Sequence, residues 1–352
     1  MSGESSHRYE MPGVESPPAI NPALIWRPRQ RPSVNDVWNA LRSGDRAALS
    51  TAITWLESSN DRDQDDVSIL LDRAYPSQAE TIRLGITGVP GAGKSTLIET
   101  LGLHFLQDDS KQLAVLAVDP SSPITGGSIL GDKSRMPELA RHPRAFIRPS
   151  PARGTLGGVG AATFEAISLC EAAGMTMIIV ETVGVGQSES AVRGMVDIFL
   201  LLMLTGAGDD LQGMKRGVLE LADILAVTKA DGENRLAAEV VAQQLRSALT
   251  FFTPASQHWN PPVLPVSVHD ESSVGQLVQT IQECYSKLSS LGDLEKRRQN
   301  QVMEFTDRLI AEQWRRRWTQ NGRNQAVFDQ VATGELPPRR AAHIMWEAIQ
   351  NP

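Results

Sequence analysis

The apolar positions along this chain follow two different periods. Between Ser33 and Pro76 they recur at helical spacing: Val34, Val37, Trp38 and Leu41, then Leu49, Ala52, Ile53 and Leu56, then Val67, Leu70, Leu71 and Ala74. Gly44 ends the first run, Asp45 is placed to cap the second, and Pro76 stops the third. Three amphipathic helices are predicted, forming either a small N-terminal domain or a cap packed on a sheet. From Ile82 the pattern changes to short apolar runs alternating with helical stretches. Strands are expected around Ile82 to Thr87, Leu113 to Val118, Ala145 to Arg148, Met175 to Val180, Asp197 to Leu204, Ile224 to Val227 and Val263 to Val266. Several are apolar throughout, as strands covered on both faces should be. The predicted class is therefore α/β, with a mainly parallel, doubly covered sheet and helical extensions at both ends.

Beyond the sheet the character shifts again. Asp293 to Trp318 reads as one long charged helix carrying Val302, Phe305, Leu309, Ile310, Trp314 and Trp318, with shorter helices around Gln325 to Ala332 and Arg339 to Ile349. An amphipathic helix projecting past a sheet is expected to be a protein interface. The partition is a proline-rich lead over 1–32, expected to be disordered, an N-terminal helical region over 33–79, an α/β domain over 80–290 and a C-terminal helical region over 291–352.

The first strand leads into Gly88-Val89-Pro90-Gly91-Ala92-Gly93-Lys94-Ser95-Thr96, after which Leu97 and Ile98 open a helix. Strand, glycine loop and helix in this order form a P-loop. Glycines let consecutive backbone N–H groups turn inward around a polyphosphate at a helix N-terminus. Lys94 is expected to reach the β and γ phosphates, Ser95 to ligate Mg²⁺, and Thr96 to support the α-phosphate.

In parallel sheets ligands sit beyond the carboxyl ends of the strands, and the polar loops here follow strands. Asp119 to Met136, with Asp132, Lys133 and Arg135, has the composition of a Mg²⁺- and phosphate-sensing segment. The Gly-rich stretch Arg153 to Gly160 is either a mobile element or a tight connection. The fourth strand delivers Glu181, an acid placed to hold Mg²⁺ directly or through water, and then Gly184, whose N–H can reach a γ-phosphate. After the fifth strand, Gly206 to Arg216 carries Asp209, Asp210, Gln212 and Lys215, charges that either hold the nucleotide or contact a partner.

Thr228-Lys229-Ala230-Asp231 follows the sixth strand in the pattern of a guanine-reading motif. The Asp231 carboxylate can accept from N1–H and the 2-amino group of guanine, a paired contact adenine cannot make. Sites that leave such an acceptor unpaired reject the wrong ligand by around 10⁴-fold. The stem of Lys229 can lie over the base. Ser267, Val268 and His269 after the last strand are expected to offer backbone N–H groups to the guanine O6.

Composition narrows the partners. A net charge of −7 argues against nucleic acid as the main partner, and the chain has no run of apolar residues long enough for a membrane span. Cys170 and Cys284 are the only cysteines, so a disulfide framework or cysteine metal site is not expected, and the expected compartment is the reducing cytoplasm.

GVPGAGKST, VDPSSPITGGSILGDKSRM, ETVGVGQSE, GAGDDLQGMKRG and TKADGEN, in this order, closely resemble the MeaB-type GTPases, a family that includes ArgK-like proteins and the human methylmalonic aciduria type A protein. The resemblance runs from about Leu49 into the C-terminal helices. It implies a GTP-hydrolysing chaperone, homodimeric through those helices, that gates adenosylcobalamin loading and repair of an acyl-CoA mutase; the cobalamin enters only through that partner. It further implies that Ser95, Asp119, Asp132 and Glu181 form the Mg²⁺ environment. Asp209, Gln212 and Lys215 fall in a switch that receives the mutase's signal, acting in catalysis with Lys94 and Glu181. Thr228 stands where most relatives have Asn, which is expected to loosen one tether between base site and P-loop. The rival readings are an ATP-dependent kinase of the older ArgK description, a nickel-insertion GTPase and a nucleotide-locked scaffold.

Overall fold

A computed structural model describes residues 31–75, 80–118, 135–150, 158–182, 188–205, 216–252, 256–319 and 322–350. The chain divides into two compact units, Met1–Ser33 and Val34–Pro352. The first lies almost wholly outside the described residues, and so does the expected disorder of the proline-rich lead.

The second unit opens with helices α1 (Val34–Arg42), α2 (Arg46–Leu56) and α3 (Asp61–Ala74). Asp45 caps α2 as its sequence position predicts, its side chain accepting from the Ala47 N–H at 2.7 Å. Asn60 does the same for α3 through the Arg62 N–H.

Seven strands follow: β1 (Ile82–Gly88), β2 (Leu113–Val118), β3 (Ala145–Ser150), β4 (Met177–Thr182), β5 (Ile198–Leu204), β6 (Ile224–Thr228) and β7 (Val263–Val266). All pairings are parallel, in the order β3-β2-β4-β1-β5-β6-β7. Between them run α4 (Lys94–Phe105), α5 (Pro137–Arg141), α6 (Gly158–Ala172), α7 (Ser188–Arg193), α8 (Arg216–Leu221) and α9 (Asn234–Leu249), and then α10 (Glu271–Ser290), α11 (Asp293–Thr319), α12 (Gly322–Ala332) and α13 (Pro338–Gln350).

The continuous apolar strands are apolar because both faces are covered. Along β4, Met177 and Ile179 join the core under α4 and α10, while Ile178 and Val180 join the core under α6, α7 and α9. Leu41, Leu49, Ile53 and Leu70 of α1–α3 belong to that second core, since α2 and α3 pack on α6. Of the two placements open from sequence, these helices take the cap.

α11 departs from its expected placement. Its amino-terminal turns do not project: Phe305 is buried and stacks on Phe164 of α6 with ring centroids 4.3 Å apart. Farther along, Ile310 and Trp314 are exposed, as are Phe328 on α12 and Ile344 and Trp346 on α13. No helix of the described residues is long and apolar enough to cross a membrane.

Candidate functional site

β1 and β4 run side by side with Ile86 opposite Glu181, so the glycine loop and the acid emerge at the same edge of the sheet. Gly88 must be glycine for a packing reason, because a Cβ there would sit 2.6 Å from the Leu202 carbonyl oxygen on β5. Gly91 and Gly93 have φ of +80° and +76°, and a Cβ on either would meet nothing within 4 Å. Their glycines keep a left-handed loop bare on the side it presents outward. Gly93 is also the N-cap of α4 and carries no side-chain cap, so the first N–H groups of that helix open toward the loop.

Lys94 Nζ donates to the carbonyl oxygens of Gly88 at 2.9 Å and Val89 at 3.4 Å, bringing its ammonium over the loop. Burial holds its pKa below the ordinary lysine value, the negative charge of Glu181 works the other way, and Arg135 adds to the lowering. Ser95 Oγ donates to Glu181 Oε1 at 3.3 Å, and Glu181 is 4% exposed. At the strand ends the hydroxyls of Thr87 and Thr182 lie 2.8 Å apart.

Pro90, Gly91, Lys94, Ser95, Arg135 and Glu181 line a cavity of about 420 Å³. A second, of about 310 Å³, is lined by Leu97, Thr228, Lys229, Asp231, Asn234 and Val268 among others. Gly93 and Thr96 line both. The two cavities adjoin at these residues and together make a trough, one end lined by Lys94, Arg135 and Glu181, the other walled by apolar side chains with an acid at its rim.

Three features of the second cavity bear on how a base would sit there. Thr228 keeps a tether to the glycine loop: its hydroxyl lies 2.9 Å from the carbonyl oxygen of Ala92 and 3.0 Å from that of Met203 on β5. Asp231 is exposed rather than buried, so the penalty for leaving it unpaired depends on a bound base excluding water from it. The loop after β7 turns back on itself. Ser267 N–H donates to Ser273 Oγ at 3.1 Å and His269 N–H to Ser267 Oγ at 3.1 Å. Of the three amides expected to reach the base, two are engaged within the loop, which leaves Val268.

Lys229 has φ of +58°, a left-handed conformation that a side chain with a Cβ adopts at a cost of about 1–2 kcal/mol. Ala230 N–H donates to the Val266 carbonyl oxygen at 3.2 Å, fixing the turn against β7. Strain of this kind persists where the surroundings over-determine it, as at ligand sites.

Asp119, Asp132, Gly184, Gln187, Asp209, Gln212 and Lys215 lie outside the described residues. Among the described residues no group of three or more His, Cys, Asp or Glu is arranged to hold a metal ion. The structure adds Asn234 and Leu97 to the second cavity, and it puts Arg135, singled out above in the segment after β2, on the wall of the first. It also adds Glu189, 4% exposed, whose charge acts on Lys94. Asn234 was within reach of sequence reasoning, three residues after Asp231; Glu189 carried no signal of its own.

Comparison with known proteins agrees with this geometry. A family model described as methylmalonyl Co-A mutase-associated GTPase MeaB matches residues 49–323. The chain is 47% identical over 319 residues to probable GTPase Rv1496 of Mycobacterium tuberculosis, covering 90% of this chain and 95% of that protein. It is 42% identical over 284 residues to the mitochondrial methylmalonic aciduria type A homolog of Caenorhabditis elegans, covering 78% and 71% respectively. Among solved structures, the crystal structure of a LAO/AO transport system kinase superposes with a TM-score of 0.72 at 34% identity, over 90% of this chain and 98% of that one. A parallel sheet ending in a glycine loop, a guanine-type motif beside it and a match of this extent together place the chain in the MeaB family of P-loop GTPases.

Proposed function

We propose that this GTPase gates adenosylcobalamin loading of an acyl-CoA mutase and protects or reactivates that enzyme, hydrolysing GTP to GDP and phosphate as it does so. The observation that carries the nucleotide part is the trough in which the Thr228 to Asp231 turn and the glycine loop share Gly93 and Thr96. The mutase part is supported by the family's description as mutase-associated.

Ser95 and Glu181 fit Mg²⁺. They are two oxygen donors within 3.3 Å of each other, hard ligands of the kind that ion prefers, and the carboxylate is buried where a cation partner favours its charge. Asp119 and Asp132 would complete the set. When bound, the ion would neutralise charge developing between the β and γ phosphates. The chain's own part is positioning: the loop amides and the Lys94 ammonium stabilise the transferring phosphoryl group while a water attacks in line. Position 185 is valine, so no glutamine directly follows Gly184 to orient that water. Slow turnover alone follows, with acceleration by a mutase acting through Asp209, Gln212 and Lys215; Lys215 and Gln187 are the candidates for completing the site.

A homodimer through α11–α13 is supported by the exposed Ile310, Trp314, Phe328, Ile344 and Trp346. The client is a methylmalonyl-CoA, isobutyryl-CoA, 2-hydroxyisobutyryl-CoA or ethylmalonyl-CoA mutase. Single-turnover hydrolysis with and without each mutase, alongside co-purification in a non-hydrolysable GTP analogue, tests the reading. Acceleration by one of them is expected. A rate that is fast alone and unchanged by all four would end it. The name of the structural relative favours a kinase as the second reading; tighter binding of ATP than GTP would support it.

A further inference from the structure

The cavity of about 310 Å³ at the base end of the trough has an apolar floor, with Ala92, Leu97, Val266 and Val268 among its lining residues. Its polar side chains are unequally engaged. The Thr228 hydroxyl is shared between the carbonyl oxygens of Ala92 and Met203. Among the described residues, the carboxylate of Asp231 and the carboxamide of Asn234 bond to no protein group. Both are left for a ligand.

The turn after β6 sets these two side chains on one wall. Gly232 has φ of +53°, and the Asn234 N–H closes the turn on the Asp231 carbonyl oxygen at 3.0 Å. Asn234 is also the first residue of α9, so its backbone is held from both sides. Residues at the two ends of such a turn stand next to each other, and both line the cavity with Lys229.

Asp231 uses only part of the edge of a guanine. Its carboxylate accepts from N1–H and from the 2-amino hydrogen beside it. The outer 2-amino hydrogen and the N3 lone pair remain, a donor and an acceptor side by side on the sugar edge of the base. A carboxamide presents an acceptor and a donor at matching separation, as Asn does toward N6 and N7 of adenine. Among the described residues that line the cavity, only Asn234 carries one. Lys229 offers donors alone, and the two ring nitrogens of His269 point apart, so neither can meet that pair.

We propose that Asn234 is a second guanine-reading residue, its Oδ1 accepting from the outer 2-amino hydrogen and its Nδ2 donating to N3. The assignment rests on the reading of the trough as a GTP site. It places the two hydrogens of the 2-amino group on two different side chains. Asp231 rejects adenine, and Asn234 sharpens the rejection of hypoxanthine, which satisfies Asp231 at N1 but leaves an oxygen of each side chain unpaired.

The test is equilibrium titration of the full chain with GDP, with IDP, which lacks the 2-amino group, and with 3-deaza-GDP, which has C–H in place of N3. At about tenfold per hydrogen bond, the wild type should bind GDP about 100-fold more tightly than IDP and about tenfold more tightly than 3-deaza-GDP. Asn234→Ala should lower the preference over IDP to about tenfold and abolish the preference over 3-deaza-GDP. Each ratio compares ligands on one preparation, so a loss of folded protein in the variant cannot imitate the effect. Wild type that binds 3-deaza-GDP as tightly as GDP, or a variant that keeps either wild-type ratio, would overturn this role for Asn234 and leave the GTP site standing. Wild type that binds ADP as tightly as GDP would overturn the GTP reading, and the assignment with it.

Discussion

The hydroxyl of Thr228, at the end of β6, lies 2.9 Å from the carbonyl oxygen of Ala92 in the glycine loop, across 136 residues of sequence. It also lies 3.0 Å from the Met203 carbonyl, so one small side chain joins the base end of the trough, the phosphate end and the neighbouring strand. Its single proton is shared between two backbone acceptors.

Thr228→Val keeps the shape and removes that proton. GTP affinity should fall about tenfold, the equivalent of roughly 1–1.5 kcal/mol for one buried hydrogen bond. Thr228→Asn, which supplies two donors, should bind at least as tightly as the wild type. Titration with a fluorescent GDP derivative reads both.

Gly93→Ala separates folding from ligand binding. The added methyl meets no protein atom within 4 Å, so the cost to the fold is the left-handed backbone alone. That is about 1–2 kcal/mol, or a few degrees in Tm. The methyl does intrude where phosphates would approach the loop, and GTP affinity should drop by far more than this strain accounts for. Thermal melts and nucleotide titrations on one preparation make the comparison; equal losses in both would refute it.

Asp231→Asn exchanges a carboxylate that accepts twice for an amide that accepts once and donates once. GTP should bind about 100-fold more weakly, and xanthosine triphosphate, with an oxygen in place of the 2-amino group, should become the preferred ligand. Competition between the two triphosphates decides it. The wild-type discrimination against ATP should be smaller than for a fully buried acid, because Asp231 remains solvated when the wrong base is present.

Glu165, on α6, titrates near neutrality, burial pushing its carboxyl up to about 7. A folded-state value above the unfolded one means the folded protein binds the extra proton, so stability is greatest below about pH 4.5 as far as this group is concerned and declines as pH rises through about 7. The loss is at most about 3 kcal/mol. Glu165→Gln should therefore raise Tm at pH 8 and leave it nearly unchanged at pH 5. A Tm difference between the two proteins that is the same at both pH values would show that Glu165 is solvated.

The sequence by itself determined the local and periodic features. Strand and helix order, the Asp45 cap, the glycine loop and the Thr228 to Asp231 turn all follow from residues a few positions apart, where backbone sterics and side-chain period act directly. Tertiary structure alone decided which distant groups share a space. The charge of Glu189 acts on Lys94 because α7 packs on β1, and Ser267 and His269 lose their amides to a turn that Ser273 closes. Arg193, Arg297 and Asp223 stand far apart in the chain, yet the fold buries their side chains together. Periodicity tells a side chain which face to take. Only the packing of that face against another sets the distance between two charges, and with it the strength of their interaction.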